Sequence, residues 1–342
     1  MKKYNYIDFM KIIAMFMVIA AHCGLFFSDN EFWLIKADYQ SRWISKFLVL
    51  SVVPIFTFAG GFLLQVSLQK NKESISIAGL IRKKAVRLLI PYFTYGILWL
   101  VPTYTLFDIP SFGRDKGASL VDGYIAMALG KFSDVAWFLL MMFWVTVIWI
   151  LLNRLLKKEN LGYGFLVSIV LYFAAHFILG QVDYFKISQI DIYIIVFFLG
   201  AAFFYLSDAI YQNAPKWILI GGSMAGIAVC VFLAPISTEI YTLECILKLV
   251  VPILFVTLSM GLCRTKAEGK LEESAAYQWL RKNNLYIYLL QAPGVYIAFG
   301  IIYPLLGSHI WLCLPVLYAA TVVLDLIVTR IFLFIKDRMI RS

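Results

Sequence analysis

The segment Tyr6 to Phe27, YIDFMKIIAMFMVIAAHCGLFF, is long enough to cross a bilayer yet carries Asp8, Lys11 and His22. An apolar stretch of about 20 residues spans the roughly 30 Å hydrocarbon core, where ionisable side chains are costly and mark function. Lys11 and His22 are 11 residues apart. That is close to three turns, so both project from one helix face, roughly 16 Å apart along its axis. They cannot touch, but an elongated ligand can reach both, with a negative part at Lys11 and a reactive part at His22. Asp8, three residues before Lys11, lies near it on that face and can hold the ammonium as an ion pair. A plainer reading stays open: Lys11 snorkels to the headgroups and His22 is an interfacial residue at the other end. The shared stripe, with Cys23 and Gly24 following His22, favours function for His22.

The rest of the chain has the same solvent in mind. Of 342 residues, 62% are hydrophobic and 15% charged, which leaves no room for a sizeable soluble domain. A single all-α transmembrane domain over 1–342 is expected. Apolar runs give ten predicted spans, near residues 6–27, 44–69, 80–106, 134–153, 162–181, 190–206, 217–236, 243–264, 284–306 and 310–335. The first is retained and not a cleavable leader, because it carries Lys11 and lacks a small-x-small cleavage pattern. With both termini cytoplasmic, the inside segments hold 20 Lys/Arg and the outside loops seven, the other three, Lys11, Lys248 and Arg330, lying within spans. That bias fixes the orientation. The net charge of +10 then reflects topology and lipid headgroups, and nucleic-acid binding is not implied. The five cysteines lack paired or metal-ligand spacing and read as small buried hydrophobes. No metal is expected.

Further along, the second span contains VPIFTFAGGFLL, in which Pro54 bends the helix and Gly60 and Gly61 allow close approach of a helix or a ligand. The first cytoplasmic loop concentrates Arg82, Lys83, Lys84 and Arg87 at the mouth of the third span. Such a cluster binds anionic lipid or, through the Lys84 and Arg87 fork, phosphates. It lies on the Lys11 side of the membrane. The longest outside loop, Phe107 to Ser133, leads into DVAWFLLMMFW, whose Trp137 and Phe138 are interfacial aromatics by default. His176 is assigned to packing or a local hydrogen bond, Glu244 and Lys248 to an i,i+4 ion pair, and Asp325 and Arg330 to bundle contacts. Gln291 and Pro293 mark a polar kink.

Together these stretches resemble the acyltransferase 3 family of integral membrane acyltransferases. The family's basic residue, ten residues and His in the first helix is similar to Lys11 through His22. Its basic-x-x-Arg motif is similar to Lys84 and Arg87, its SGF-like stretch to FTFAGGF, its W-[YF]-L stretch to Trp137-Phe138-Leu139, and its late IYLLH stretch to NLYIYLLQ. The chain departs from the pattern with Lys11 for the usual Arg, Gly60 for Ser, Ala136 for a frequent His, and Gln291 for the late His. His22 is thus the remaining acid/base among the family positions.

The resemblance implies an enzyme of the cell membrane of a bacterium. It moves an acyl group, acetyl by family, from cytoplasmic acetyl-CoA to a hydroxyl of an extracytoplasmic or lipid-linked glycan. CoA phosphates are expected at Lys84 and Arg87 with Arg82, Lys83 and Lys11 nearby, and substrate contacts at Gly60, Trp137 and Gln291. His22 acts as base or acyl relay, with Asp8 holding Lys11. A transporter or flippase-like protein using the same stripe is the alternative, weakened by the absence of an internal repeat and by sparse intramembrane charge.

Overall fold

The computed structural model describes residues 4–26, 39–70, 76–109, 117–131, 136–155, 161–180, 182, 184–264, 273–307 and 309–341. Among them the chain forms helices and no strand. The basic residues Lys2, Lys3, Lys36, Lys72, Arg114, Lys116, Lys157, Lys158, Lys266 and Lys270, which enter the charge-bias argument, lie outside the described residues.

In lipid every backbone N–H and C=O must be paired within its own segment, which helices alone achieve for apolar runs of this length. The helices are α1 (Asn5–Leu25), α2 (Tyr39–Lys70), α3 (Ile77–Leu106), α4 (Leu120–Ala128), α5 (Trp137–Leu155) and α6 (Leu161–Ala174, prolonged by a π-helical turn over Ala175–Leu179). They continue as α7 (Asp191–Asn213), α8 (Ile218–Leu233), α9 (Tyr241–Cys263), α10 (Ala275–Leu306) and α11 (Ile310–Arg341). Eight of these are long and apolar enough to cross a membrane, and they coincide with eight of the ten predicted spans. The other two predicted spans are the shorter apolar helices Trp137–Asn153 and Ile218–Leu233.

Helix α1 sits inside the bundle, packed on α2, α9, α10 and α11. Its apolar faces bury Ile7, Met10 and Ala14 against one core and Ile19, Cys23 and Phe26 against another. The most extensive pairing is that of α2 with α7. Lipid offers no hydrophobic force for it, so close packing must supply the attraction. The sequence provides for this reciprocally: a Cβ on Gly61 would overlap the Phe197 carbonyl, and a Cβ on Gly200 would overlap the Phe58 carbonyl. Bare glycines let the two backbones touch.

Helices α10 and α11 form an antiparallel hairpin, with the Tyr286 ring 5.7 Å from Phe332 and Gly294 facing Leu324. Since α10 runs parallel to α1, the start of α1 and the end of α11 lie at one end of the bundle. The start of α3 lies at that same end, because α2 crosses between α1 and α3.

Candidate functional site

Near the start of α1 the Lys11 ammonium is 2.7 Å from the Asp8 carboxylate. The i,i+3 spacing brings them together. The same carboxylate faces Arg281 Nη1 of α10 at 3.9 Å, and one turn beyond Arg281, Asn284 Nδ2 donates to the Lys11 carbonyl at 3.1 Å. Two cations thus share one carboxylate, leaving a net positive charge suited to an anion. All three side chains keep a fifth to a third of their surface exposed, so a ligand can reach them. In the sequence Arg281 falls between the predicted spans 243–264 and 284–306, one of the 20 inside basic residues. It lies 273 residues from Asp8, and no local pattern in the chain links the two.

At the other end of the same face stands His22, half-buried, one position before fully buried Cys23. Among the described residues the imidazole has no hydrogen-bond or ion-pair partner, unlike Cys23, whose thiol donates to Thr321 Oγ1 at 3.7 Å. A ring nitrogen without a protein partner is open to a ligand proton.

The basic cluster opens α3. Ser76 caps that helix, its hydroxyl accepting from the Gly79 N–H at 3.1 Å. Arg82, Lys83 and Arg87 are exposed and Lys84 is half-buried, close enough to Arg87 to feel its charge. Among the described residues none of the four has a carboxylate partner. The structure places this cluster at the Lys11 end of the bundle but does not pack α3 on α1.

Three of the quoted stretches converge. Phe56 of α2, Phe138 of α5 and Tyr288 of α10 form a ring cluster, with centroids 5.9 Å apart for Phe56 and Phe138, and 5.8 Å for each of these with Tyr288. Val18 of α1 is buried in the same core. One turn beyond Tyr288 lies Gln291, 0% exposed, with neither its oxygen nor its nitrogen hydrogen-bonded among the described residues. Gly60 is a packing position: a Cβ there would overlap Met142 Cε and stand 3.4 Å from the Phe197 ring.

Trp137 belongs to a second polar group. Its ring is 6.1 Å from Tyr193, over which Lys248 Nζ lies at 5.7 Å while pairing with Glu244 at 2.6 Å. His176, on the π-helical turn of α6, is 3.8 Å from the Asp191 carboxylate and 3.5 Å from the Tyr241 hydroxyl. The Glu244–Lys248 pair and the local partner of His176 match expectation. Arg330 makes its bundle contact as a cation 5.5 Å over the Trp279 ring. Asp325 differs: it is 1% exposed and neither carboxylate oxygen makes a hydrogen bond among the described residues.

An all-helical bundle with a basic mouth at one end and a histidine at the far end of one helix face is what the resemblance to integral membrane acyltransferases implies. A family model described as an acyltransferase domain matches residues 4–330, nearly the whole chain, and the protein belongs to this acyltransferase 3 family. Neither the curated proteins nor the solved structures contain a match to the chain.

Proposed function

We propose that this membrane acyltransferase moves a short acyl group, acetyl in the first instance, from cytoplasmic acyl-CoA to a hydroxyl of an extracytoplasmic or lipid-linked glycan, in the plasma membrane of a bacterial cell. The observation that carries the reading is the arrangement on α1: a cationic pair, Lys11 and Arg281, at one end of a helix face and an unpartnered His22 at the other. The separation of roughly 16 Å suits an extended pantetheine arm whose nucleotide phosphates sit among Lys11, Arg281, Lys84 and Arg87, with Arg82 and Lys83 raising the local potential.

The chemistry at His22 follows from the thioester. The imidazole takes the proton of the acceptor hydroxyl as its oxygen attacks the acyl carbon. A C–O bond forms, the C–S bond breaks, and the proton passes to the departing CoA thiolate. In the covalent variant the imidazole nitrogen itself takes the acyl group from the thioester and then yields it to the hydroxyl. Trp137, Tyr193 and the Glu244–Lys248 pair supply aromatic faces and polar edges of the kind sugars use.

The test is binding and turnover of radiolabelled acetyl-CoA by the purified protein in lipid. Wild type binds and releases CoA; Arg87→Ala weakens binding; His22→Ala binds but releases no CoA. Failure of the wild type to bind acetyl-CoA or any other short acyl-CoA overturns the reading in favour of a carrier.

A further inference from the structure

The register of three helices places two buried polar side chains between the ends of this site. Asn284 of α10 touches Lys11, while the Phe26 ring lies 5.4 Å from Tyr296 and 4.0 Å from Phe299, so α10 keeps step with α1 along its length. Gln291, seven residues beyond Asn284, therefore stands level with Val18 and Ile19. On α11, Thr321 meets Cys23, and Asp325, one turn nearer the Lys11 end, also stands level with Ile19, about 6 Å below Cys23. Both levels fall between Lys11 and His22.

At that depth a polar group without a partner is expensive, and native proteins retain very few. Gln291 at 0% and Asp325 at 1% exposure are each buried with both side-chain polar atoms, four in all, outside any hydrogen bond among the described residues. Thr329, one turn further along α11, turns its hydroxyl toward Asp325 and is the one side chain placed to donate to it, but the contact falls short of hydrogen-bond geometry and the hydroxyl is likewise unbonded among the described residues. Their chemistry specifies what would satisfy them. A primary amide both donates and accepts, and a carboxyl accepts from an N–H. The complement is a chain that carries secondary amides and is otherwise apolar enough to enter the membrane.

We propose that the Gln291 amide and the Asp325 carboxyl are the hydrogen-bond partners of the two amide groups of an acyl-pantetheine arm lying along α1. The assignment rests on the acyl-CoA reading above. These are positioning residues: they hold the arm in register so that the thioester reaches His22, and take no part in bond making.

The experiment compares wild type, Gln291→Leu, Asp325→Leu and Asp325→Asn for equilibrium binding of acetyl-CoA and of adenosine 3′,5′-bisphosphate, which carries the nucleotide without the arm. Melting temperature of the ligand-free protein is recorded alongside. Each Leu variant is expected to weaken acetyl-CoA about tenfold, as for one lost hydrogen bond. Adenosine 3′,5′-bisphosphate binding stays within about twofold and the melting temperature does not fall, since an unpaired polar group has been removed. Asp325→Asn, which keeps an accepting oxygen, retains acetyl-CoA affinity. Leu variants that bind acetyl-CoA as wild type does overturn the assignment, as do variants that lose both ligands and melt early, which marks a structural role. A wild type that binds neither ligand overturns the acyl-CoA reading itself.

Discussion

At the scale of single residues, the contrast between His22 and Arg281 is what would separate chemistry from binding on the proposed reading. His22 is half-buried with no partner among the described residues, so replacing it removes a proton acceptor without breaking a contact. His22→Ala is expected to lower the transfer rate about a hundredfold to ten-thousandfold, the usual worth of a general base, with acetyl-CoA affinity kept. Single-turnover release of CoA measures this directly. Arg281 meets the Asp8 carboxylate at 3.9 Å and is partly exposed, which leaves its guanidinium available to a phosphate. Arg281→Ala is expected to raise KM for acetyl-CoA about tenfold with kcat little changed; a fall in kcat at constant KM would place Arg281 elsewhere in the cycle. How much of this was legible depends on distance along the chain. Asp8, Lys11 and His22 share one helix, so periodicity alone put them on a face, and the 2.7 Å pair follows from it. Arg281 reaches the same face, and Gln291 and Asp325 the levels between its ends, from helices that enter the bundle more than 250 residues later. Nothing in one sequence records which sides of those helices face α1.

At the scale of elements, the spans were readable because a run of apolar residues matches the membrane thickness, whereas their contacts were not. The glycine pair Gly60-Gly61 shows the difference. The sequence left close approach to a helix or a ligand open, and the structure resolves it for Gly61, whose missing Cβ admits the Phe197 carbonyl of α7, with Gly200 of α7 admitting the Phe58 carbonyl in return. Since those obstacles are backbone, no rotamer change relieves them. Gly200→Ala should therefore push α2 and α7 apart and destabilise the protein by about 1–3 kcal/mol, the usual range for overpacking. Thermal unfolding in detergent reads this, and a melting temperature equal to wild type would mean that the interface can slide. The short helix α4 carries its own test. The Ser119 hydroxyl and backbone N–H donate to the Asp122 carboxylate at 2.7 and 3.0 Å, holding its pKa below the ordinary carboxylate value. With the folded pKa depressed, the cap is fully effective above the unfolded value and is lost as pH falls through the folded one. Amide exchange in α4 should accelerate over that acidic window and not in Ser119→Ala, which lacks the reciprocal cap at every pH.

At the scale of the whole molecule, the two ends of the α1 face lie at opposite ends of the bundle, and on the proposed reading that makes the reaction directional. The starts of α1 and α3 and the end of α11 lie together, gathering Lys11, Arg281 and the exposed Arg82, Lys83 and Arg87 at one mouth. The His22 end gathers the neighbourhood of Phe26, Tyr296 and Phe299. On the proposed acyl-CoA reading, a charged nucleotide does not cross the hydrocarbon core, so donor and acceptor arrive from different compartments and only the thioester arm enters the protein. In proteoliposomes of known orientation, acetyl-CoA supplied on the side of the α1 start should support transfer to an acceptor on the other side, and acetyl-CoA supplied with the acceptor should not. Because the mouth is a surface cluster of cations, its attraction for the nucleotide is screened over a Debye length of about 8 Å at physiological salt. The KM for acetyl-CoA should then rise with added salt while transfer from a saturated donor holds constant. Equal activity from both sides would contradict the single-mouth arrangement, and with it the reason for spacing a cationic pair and a histidine along one helix face.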